Sequence, residues 1–303
     1  MDYISLLQKE MRPAFGCTEP IALAYAAAKA ASVLDEFPNH IHARCSANII
    51  KNVKSVVIPN SGGRKGLAAA TVLGAIVGHP ERELEVLESA TDEDRKWLGT
   101  LLEANFCTVE LAEGVDNLYI EITATTDEHT AVVRIENAHT NITYVSVDGN
   151  VISETINEIK EAESSTCPMT FDSIYEFAKA GDISGILPSI KQQVEYNTAI
   201  SNEGLSNDYG ANIGRLLLLD DETPSLETKC KARAAAGSDA RMSGCPLPVV
   251  ICSGSGNQGL TVSMPIITTA EELGKTDDEL YRALVFANLL TLYVKSGIGK
   301  LSA

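Results

Sequence analysis

Two stretches with a period of two, LYIEITA (118–124) and AVVRIE (131–136), decide the fold class. Leu118, Ile120 and Ile122 share one face of the first, and Ala131, Val133 and Ile135 share one face of the second. This is the alternation of strands buried on one side only. Asp148-Gly149 in YVSVDGNVI (144–152) is a hairpin signal, so the region 107–152 reads as an antiparallel meander. Upstream, HIHARCSANIIKNVKSVVIP (40–59) is rich in β-branched residues and reads as one or two strands. NSGGRKG (60–66) then opens a small-residue helix, LAAATVLGAIVG (67–78), and helical patterns continue in 81–90 and 92–104.

Downstream, 171–181, 185–205, 225–244 and 276–297 all carry helical periodicity. The expectation is an α+β protein, mainly a helical body with a small antiparallel β-sheet subdomain. Its parts are N-terminal helices over 1–38 that join the body, an α/β subdomain over 39–152, and a helical domain over 168–303. The polar stretch 153–170 separates the last two as a linker or short helix.

Forty-one acidic residues against 24 Lys and Arg leave a net charge of −17 over 303 residues. That balance opposes nucleic acid and anionic lipid as partners and favours a small molecule. The longest apolar runs, RLLLLD and PLPVVIC, fall far short of the roughly 20 residues a membrane helix needs. The N-terminus has no basic and apolar signal pattern, and a cytoplasmic location is expected. The seven cysteines (17, 45, 107, 167, 230, 245, 252) are scattered and odd in number, which suits reduced thiols. Cys45, Cys107, Cys167 and Cys230 are expected to pack as small hydrophobes, and the five histidines have no ligand spacing.

FGCTEP (15–20) runs into IALAYAAAKAA. Thr18 suits an N-cap, and Glu19 and Pro20 suit a first turn, so a helix opens at Cys17. A thiol at a helix start meets unpaired N–H groups and the positive end of the dipole, which favour thiolate. In CSGSGNQGLTVSMP (252–265), Gly254, Gly256 and Gly259 match G-x-G-x-x-G. No β-α-β unit with a ribose-binding acid follows, so the dinucleotide reading is disfavoured. A nest of backbone N–H groups beside Ser253, Ser255, Asn257 and Gln258 suits a carboxylate; a tight structural turn is the alternative. Asn60, Ser61, Gly62 and Gly63 before Arg64 and Lys65 have the same anion-binding character or form a solvent-facing helix start. Cys245 and Cys252 are core residues or, with Cys17, metal ligands.

Three landmarks, FGCTEPIALAYAAA (15–28), IKNVKSVVIPNSGGRKGLAAATVLGAIVG (50–78) and ARAAAGSDARMSGCPLPVVICSGSGNQGLTVSMP (232–265), together resemble the L-cysteine desulfidase family, a relative of the iron-sulfur L-serine dehydratases. The resemblance implies α,β-elimination of L-cysteine to pyruvate, ammonia and hydrogen sulfide, without pyridoxal phosphate. It also implies a [4Fe-4S] cluster with one open iron. The cluster cysteines would follow a stretch like GIGKLSA (297–303), beyond Ala303, and no metal ligand is assigned within the chain.

Only Cys17 matches a functional cysteine of that family; its implied role is a base or a ligand that substrate displaces. Glu19 is expected to be catalytic as well, lining the same pocket. The substrate-binding set is Thr18, Asn60, Ser61, Gly62 and Gly63 with Ser253, Gly254, Ser255, Gly256, Asn257 and Gln258, all expected to converge in one pocket. An L-serine dehydratase-type deaminase and a cluster-free amino-acid-binding protein are the alternatives, and a homodimer is among the expected assemblies.

Overall fold

The computed structural model describes residues 2–155, 169–219 and 223–297. Helices α1 (Tyr3–Glu10), α2 (Thr18–Ser32), α3 (Ala47–Val53), α4 (Leu67–Val77) and α5 (Asp92–Glu103) are interspersed with strands β1 (Pro13–Phe15) and β2 (His40–Cys45). Strands β3 (Cys107–Leu111), β4 (Tyr119–Thr125), β5 (Thr130–Glu136), β6 (Ile142–Val147) and β7 (Asn150–Glu154) follow. Then come α6 (Phe171–Ala180), α7 (Leu187–Ser206), α8 (Ile213–Leu219), α9 (Leu226–Met242), β8 (Pro248–Val250), α10 (Gly256–Glu272) and α11 (Asp277–Ser296). The fold is α+β, with two compact units, Phe15–Ile159 and Met1–Ala14 with Lys160–Ala303.

The Phe15–Ile159 unit is built on a six-stranded sheet in the order β3-β2-β4-β5-β6-β7. Ile120, Ile122 and Ala124 of β4 and Ala131, Val133 and Ile135 of β5 are wholly buried. They sit opposite one another in register, as Ile120 with Ile135 and Ile122 with Val133, so a single apolar face spans both strands. On β4 the intervening Glu121 accepts from Arg44 Nη1 at 2.9 Å, Arg134 Nη2 at 2.7 Å and the Tyr119 hydroxyl at 2.9 Å. Burial pushes the Glu121 carboxyl up, but those donors outweigh it and hold the group below the usual carboxylate range.

Three expectations are corrected here. The sheet is mixed rather than antiparallel, because β2 enters it antiparallel to β4 and β3 then pairs parallel to β2. After β2 the chain turns helical: Ile49 and Val53, four apart, are the buried residues of α3, and that spacing overrides their β-branched preference. Residues 81–90 form no long helix, since the 3-10 turn Pro80–Glu85 is interrupted at Glu83, whose φ is +46°.

Helix α2 is apolar all round; Ile21 through Ala24 and Ala26 through Ala28 are wholly buried. Such a helix needs partners on every side, and it finds them in α4, β4 and β5. It therefore lies with the sheet rather than with the later helices among which 1–38 were grouped. Its approach to α4 is backbone to backbone: a Cβ on Gly74 would come within 2.2 Å of the Ala24 carbonyl oxygen.

In the other unit α9 packs against α7, α8 and α10, and α11 against α10 and α6. Buried amides tie these helices together. Gln193 and Asn288 exchange two hydrogen bonds, while Asn197 donates to Ser263 Oγ at 2.9 Å and accepts from the Val250 N–H at 2.9 Å. Helix α10 continues through Pro265. Most of the linker stretch, with Cys167, and the segment after Gly297 lie outside the described residues.

Candidate functional site

The start of α2 is the most chemically loaded place in the Phe15–Ile159 unit. Gly16 has φ +78° and a Cβ there would stand 2.1 Å from Pro59 Cγ, so only glycine lets the Phe15–Cys17 segment turn against the 59–66 loop. Two of the three expected segments therefore meet. Cys17, not Thr18, is the N-cap, and its side chain makes no capping hydrogen bond. Instead the Cys17 thiol donates to Glu19 Oε2 at 3.1 Å, and the Thr18 hydroxyl donates to the same oxygen at 3.2 Å. The Asn52 amide, from α3, donates to Glu19 Oε1 at 3.3 Å.

Cys17 and Thr18 are buried, 6% and 2% exposed. A carboxylate is an acceptor only, so three converging donors fix Glu19 in one orientation with the thiol proton against it. The structure thus sets the Cys17 thiol against a carboxylate as well as at a helix start.

In the 59–66 loop the side-chain donors of Asn60 and Ser61 are already used. Both Asn60 amide contacts run to backbone carbonyls, those of Leu87 and Glu88 at 3.1 Å each, and the Ser61 hydroxyl donates to the Arg64 carbonyl at 3.1 Å. These side chains hold the loop's shape. Gly62 and Gly63, at φ +72° and +84°, form its exposed tip.

Ser253, Gly254, Ser255, Gly256, Asn257 and Gln258 belong to the other unit. Ser253 and Gly254 have φ of +52° and +77°, and Cys252 and Ser255 exchange backbone hydrogen bonds of 3.1 and 3.2 Å across them. The stretch is thus a tight turn delivering Ser255 as N-cap of α10, where its hydroxyl accepts from the Gln258 N–H at 3.4 Å. Behind it stands Arg241, 2% exposed, whose Nη1 donates to Asn257 Oδ1 at 2.9 Å. A Cβ on Gly256 would meet Arg241 Nε at 2.2 Å, so the missing side chain makes room for the guanidinium. A helix N-terminus backed by a buried cation suits an anion. Among the described residues the strand before this turn, β8, is three residues long and pairs with β1, which is not the parallel sheet of a dinucleotide fold.

Sequence reasoning missed Arg241 and Asn52. Arg241 carries a readable signal, a charged residue in the last turn of the small-residue helix ARAAAGSDAR, directly before the glycine-rich stretch. Asn52 has none once its segment is read as a strand.

Comparison with known proteins is decisive at this point. The serine dehydratase alpha chain family matches residues 81–303. The chain belongs to that family. It is also 46% identical over 305 residues to the UPF0597 protein of Finegoldia magna, covering 100% of this chain and 72% of that protein. Over 303 residues it is 44% identical to the UPF0597 protein of Lachnoclostridium phytofermentans, covering 99% and 72%. A UPF0597 protein of Desulfitobacterium hafniense is 43% identical over 304 residues, covering 99% and 70%. No solved structure matches. No helix among the described residues is long and apolar enough to cross a membrane.

Membership of an iron-sulfur dehydratase family implies a [4Fe-4S] cluster. Among the described residues no three His, Cys, Asp or Glu side chains group so as to hold a metal. Burial pushes the Cys45, Cys107 and Cys252 thiols up to about 12 each, and raises Cys245. None of these cysteines stands with two further metal-ligating side chains among the described residues, so as the structure holds them they do not form a cluster site. Cys45, Cys245 and Cys252 are wholly or almost wholly buried, in keeping with small packed residues.

Proposed function

We propose that the protein is a lyase that eliminates the β-substituent of a small amino acid, converting L-cysteine and water to pyruvate, ammonia and hydrogen sulfide. The reading is supported by the serine dehydratase family match together with one observation, the Cys17–Glu19 pair fixed by Asn52 at the mouth of a buried helix. Elimination needs a base for the Cα proton and a proton for the departing β-group. A thiol whose proton rests on a carboxylate supplies both: Glu19 takes the proton from sulfur, the thiolate accepts the Cα proton, and Glu19 returns a proton to the leaving group. L-Serine is the second substrate of this chemistry, with water leaving instead of hydrogen sulfide, and the family name favours it. In both cases the 2-aminoacrylate product hydrolyses to pyruvate and ammonia.

The test is anaerobic purification of the full-length protein, with iron and acid-labile sulfide measured, followed by pyruvate assays on L-cysteine and L-serine. The reading expects pyruvate from at least one of them, with the larger kcat/KM on L-cysteine. A larger kcat/KM on L-serine corrects the substrate. Iron-containing protein that forms pyruvate from neither overturns the enzyme reading and leaves an amino-acid-binding protein. Iron content also assigns Cys17: in Cys17→Ser, full iron with lost turnover marks an acid-base role, and lost iron marks a ligand.

A further inference from the structure

A second cation-lined site lies in the Phe15–Ile159 unit, in an open cleft of about 380 Å³ between the tip of the 59–66 loop and α5. Its walls are Ser61, Gly62, Arg64, Asp92, Arg95 and Lys96; neither Cys17 nor Glu19 lines it. Three cations face one carboxylate there, in a chain whose net charge is −17. Asp92 pairs with Arg95, through contacts of 2.6 and 3.1 Å from Nη2 and Nε, and feels the charge of Lys96 more weakly, while Arg95 Nη1 is spent on the Asn60 and Ala90 carbonyls at 3.2 Å each.

Arg64 and Lys96 have no hydrogen-bond or ion-pair partner for their side chains among the described residues. Arg64 Nε is shut away from solvent without an acceptor. The guanidinium is nevertheless held in place: it lies over α5 where residue 99 is glycine, and a Cβ there would come 2.4 Å from Arg64 Nη2. Holding an uncompensated cation against a glycine costs free energy that nothing described in the chain returns. Beside it, the Gly62 and Gly63 N–H groups have no partner among the described residues.

We propose that this cleft binds a small organic dianion, a phosphate monoester. The charge follows from the lining: three cations less one carboxylate leave two positive charges unanswered. The tetrahedral oxyanion follows from donors that approach from separate elements, a fork from Arg64, a point charge from Lys96 and backbone N–H groups at the loop tip. The organic part follows from the volume, which lies within the range of small-molecule pockets and exceeds what bare phosphate fills. Occupancy would tie the 59–66 loop to α5, and Pro59 of that loop abuts Gly16 beside Cys17, so the ligand is an effector of loop position rather than a substrate.

Titration calorimetry of the full-length protein with glycerol phosphate, inorganic phosphate and succinate at matched ionic strength tests this without any turnover, so its failure is separate from failure of the lyase reading. The expected result is saturable one-to-one binding of glycerol phosphate, weakened about tenfold or more, that is, by at least ~1.4 kcal/mol, in Arg64→Gln and in Lys96→Gln. Lys96 is exposed, so its variant folds even where the Arg64 one does not. Inorganic phosphate binding as tightly as the monoester identifies bare phosphate as the ligand and overturns the monoester. Succinate binding equally well overturns the phosphate class. Absence of saturable binding, or variants that bind as the native protein does, overturns the site.

Discussion

Helices α2 and α10 both begin at functional candidates, yet their starts are built in opposite ways. At α2 the N-cap is a cysteine that caps nothing, and the nearest ionisable group is an acid, Glu19, which gathers a thiol, a hydroxyl and an amide. At α10 the N-cap is a serine that does cap, and the nearest ionisable group is a buried arginine holding Asn257. Both helices offer the same partial positive charge. What differs is whether the surroundings fill it with an internal carboxylate or reinforce it with a cation. The first arrangement suits proton transfer and the second suits an anion, so a helix start acquires its chemistry from its neighbours.

The largest effect that could break this contrast is on turnover. Glu19→Gln keeps the size and removes the proton acceptor, and should lower kcat by about two to four orders of magnitude, as loss of a positioned acid-base group does, with little change in thermal midpoint. Near-native turnover in Glu19→Gln would make the α2 start structural. Next comes Arg241→Met, which keeps the volume but takes the charged donor from the half-buried Asn257 carbonyl; denaturant unfolding should show a loss of about 1.5–3 kcal/mol. A change below experimental error would mean that Arg241 holds nothing at α10.

Smaller effects sharpen the same comparison. Serine is a capping residue and cysteine here is not, so Cys17→Ser should stabilise the fold by up to ~1 kcal/mol while lowering turnover, whereas Ser255→Ala should cost about 1 kcal/mol. Chemical denaturation of both variants checks the opposite signs. The smallest effect is a control from the sheet. Glu121 is held below its ordinary range, so its contribution is present above the unfolded value of about 4.3 and fades as pH falls through the folded one. The melting temperature of Glu121→Gln should therefore approach that of the native chain on acidification, while the gap between native and Ser255→Ala stays constant.

Much of this was legible before any coordinates. The meander announced itself because one face of β4 and β5 is wholly buried, which forces a strict period of two on Ile120, Ile122, Val133 and Ile135. Entry of β2 between β3 and β4 was not legible, since pairing between strands distant in the chain leaves no local signature. Cys17 and Glu19 were found because the helix start is a local pattern. The bonding of Asn60 and Ser61 was not legible: residue type shows that a side chain can donate, but only the folded loop shows that its donors already go to Leu87, Glu88 and Arg64. The family match agrees with the resemblance seen in the three landmarks at the level of serine dehydratases.

The contact of Gly74 with Ala24 has a consequence for the position of the thiol. Ala24 lies seven residues beyond Cys17, about 10 Å along the helix axis, and between the two α2 is rigid and enclosed. Most core contacts are made by side chains, which can exchange rotamers and absorb a displacement. This one is made by main chain against main chain, and it has no compliance. It serves as the datum from which the axial coordinate of sulfur is measured, so a single methyl group added at position 74 would not be lost in the packing but transmitted along the helix as a displacement of the Cys17 end.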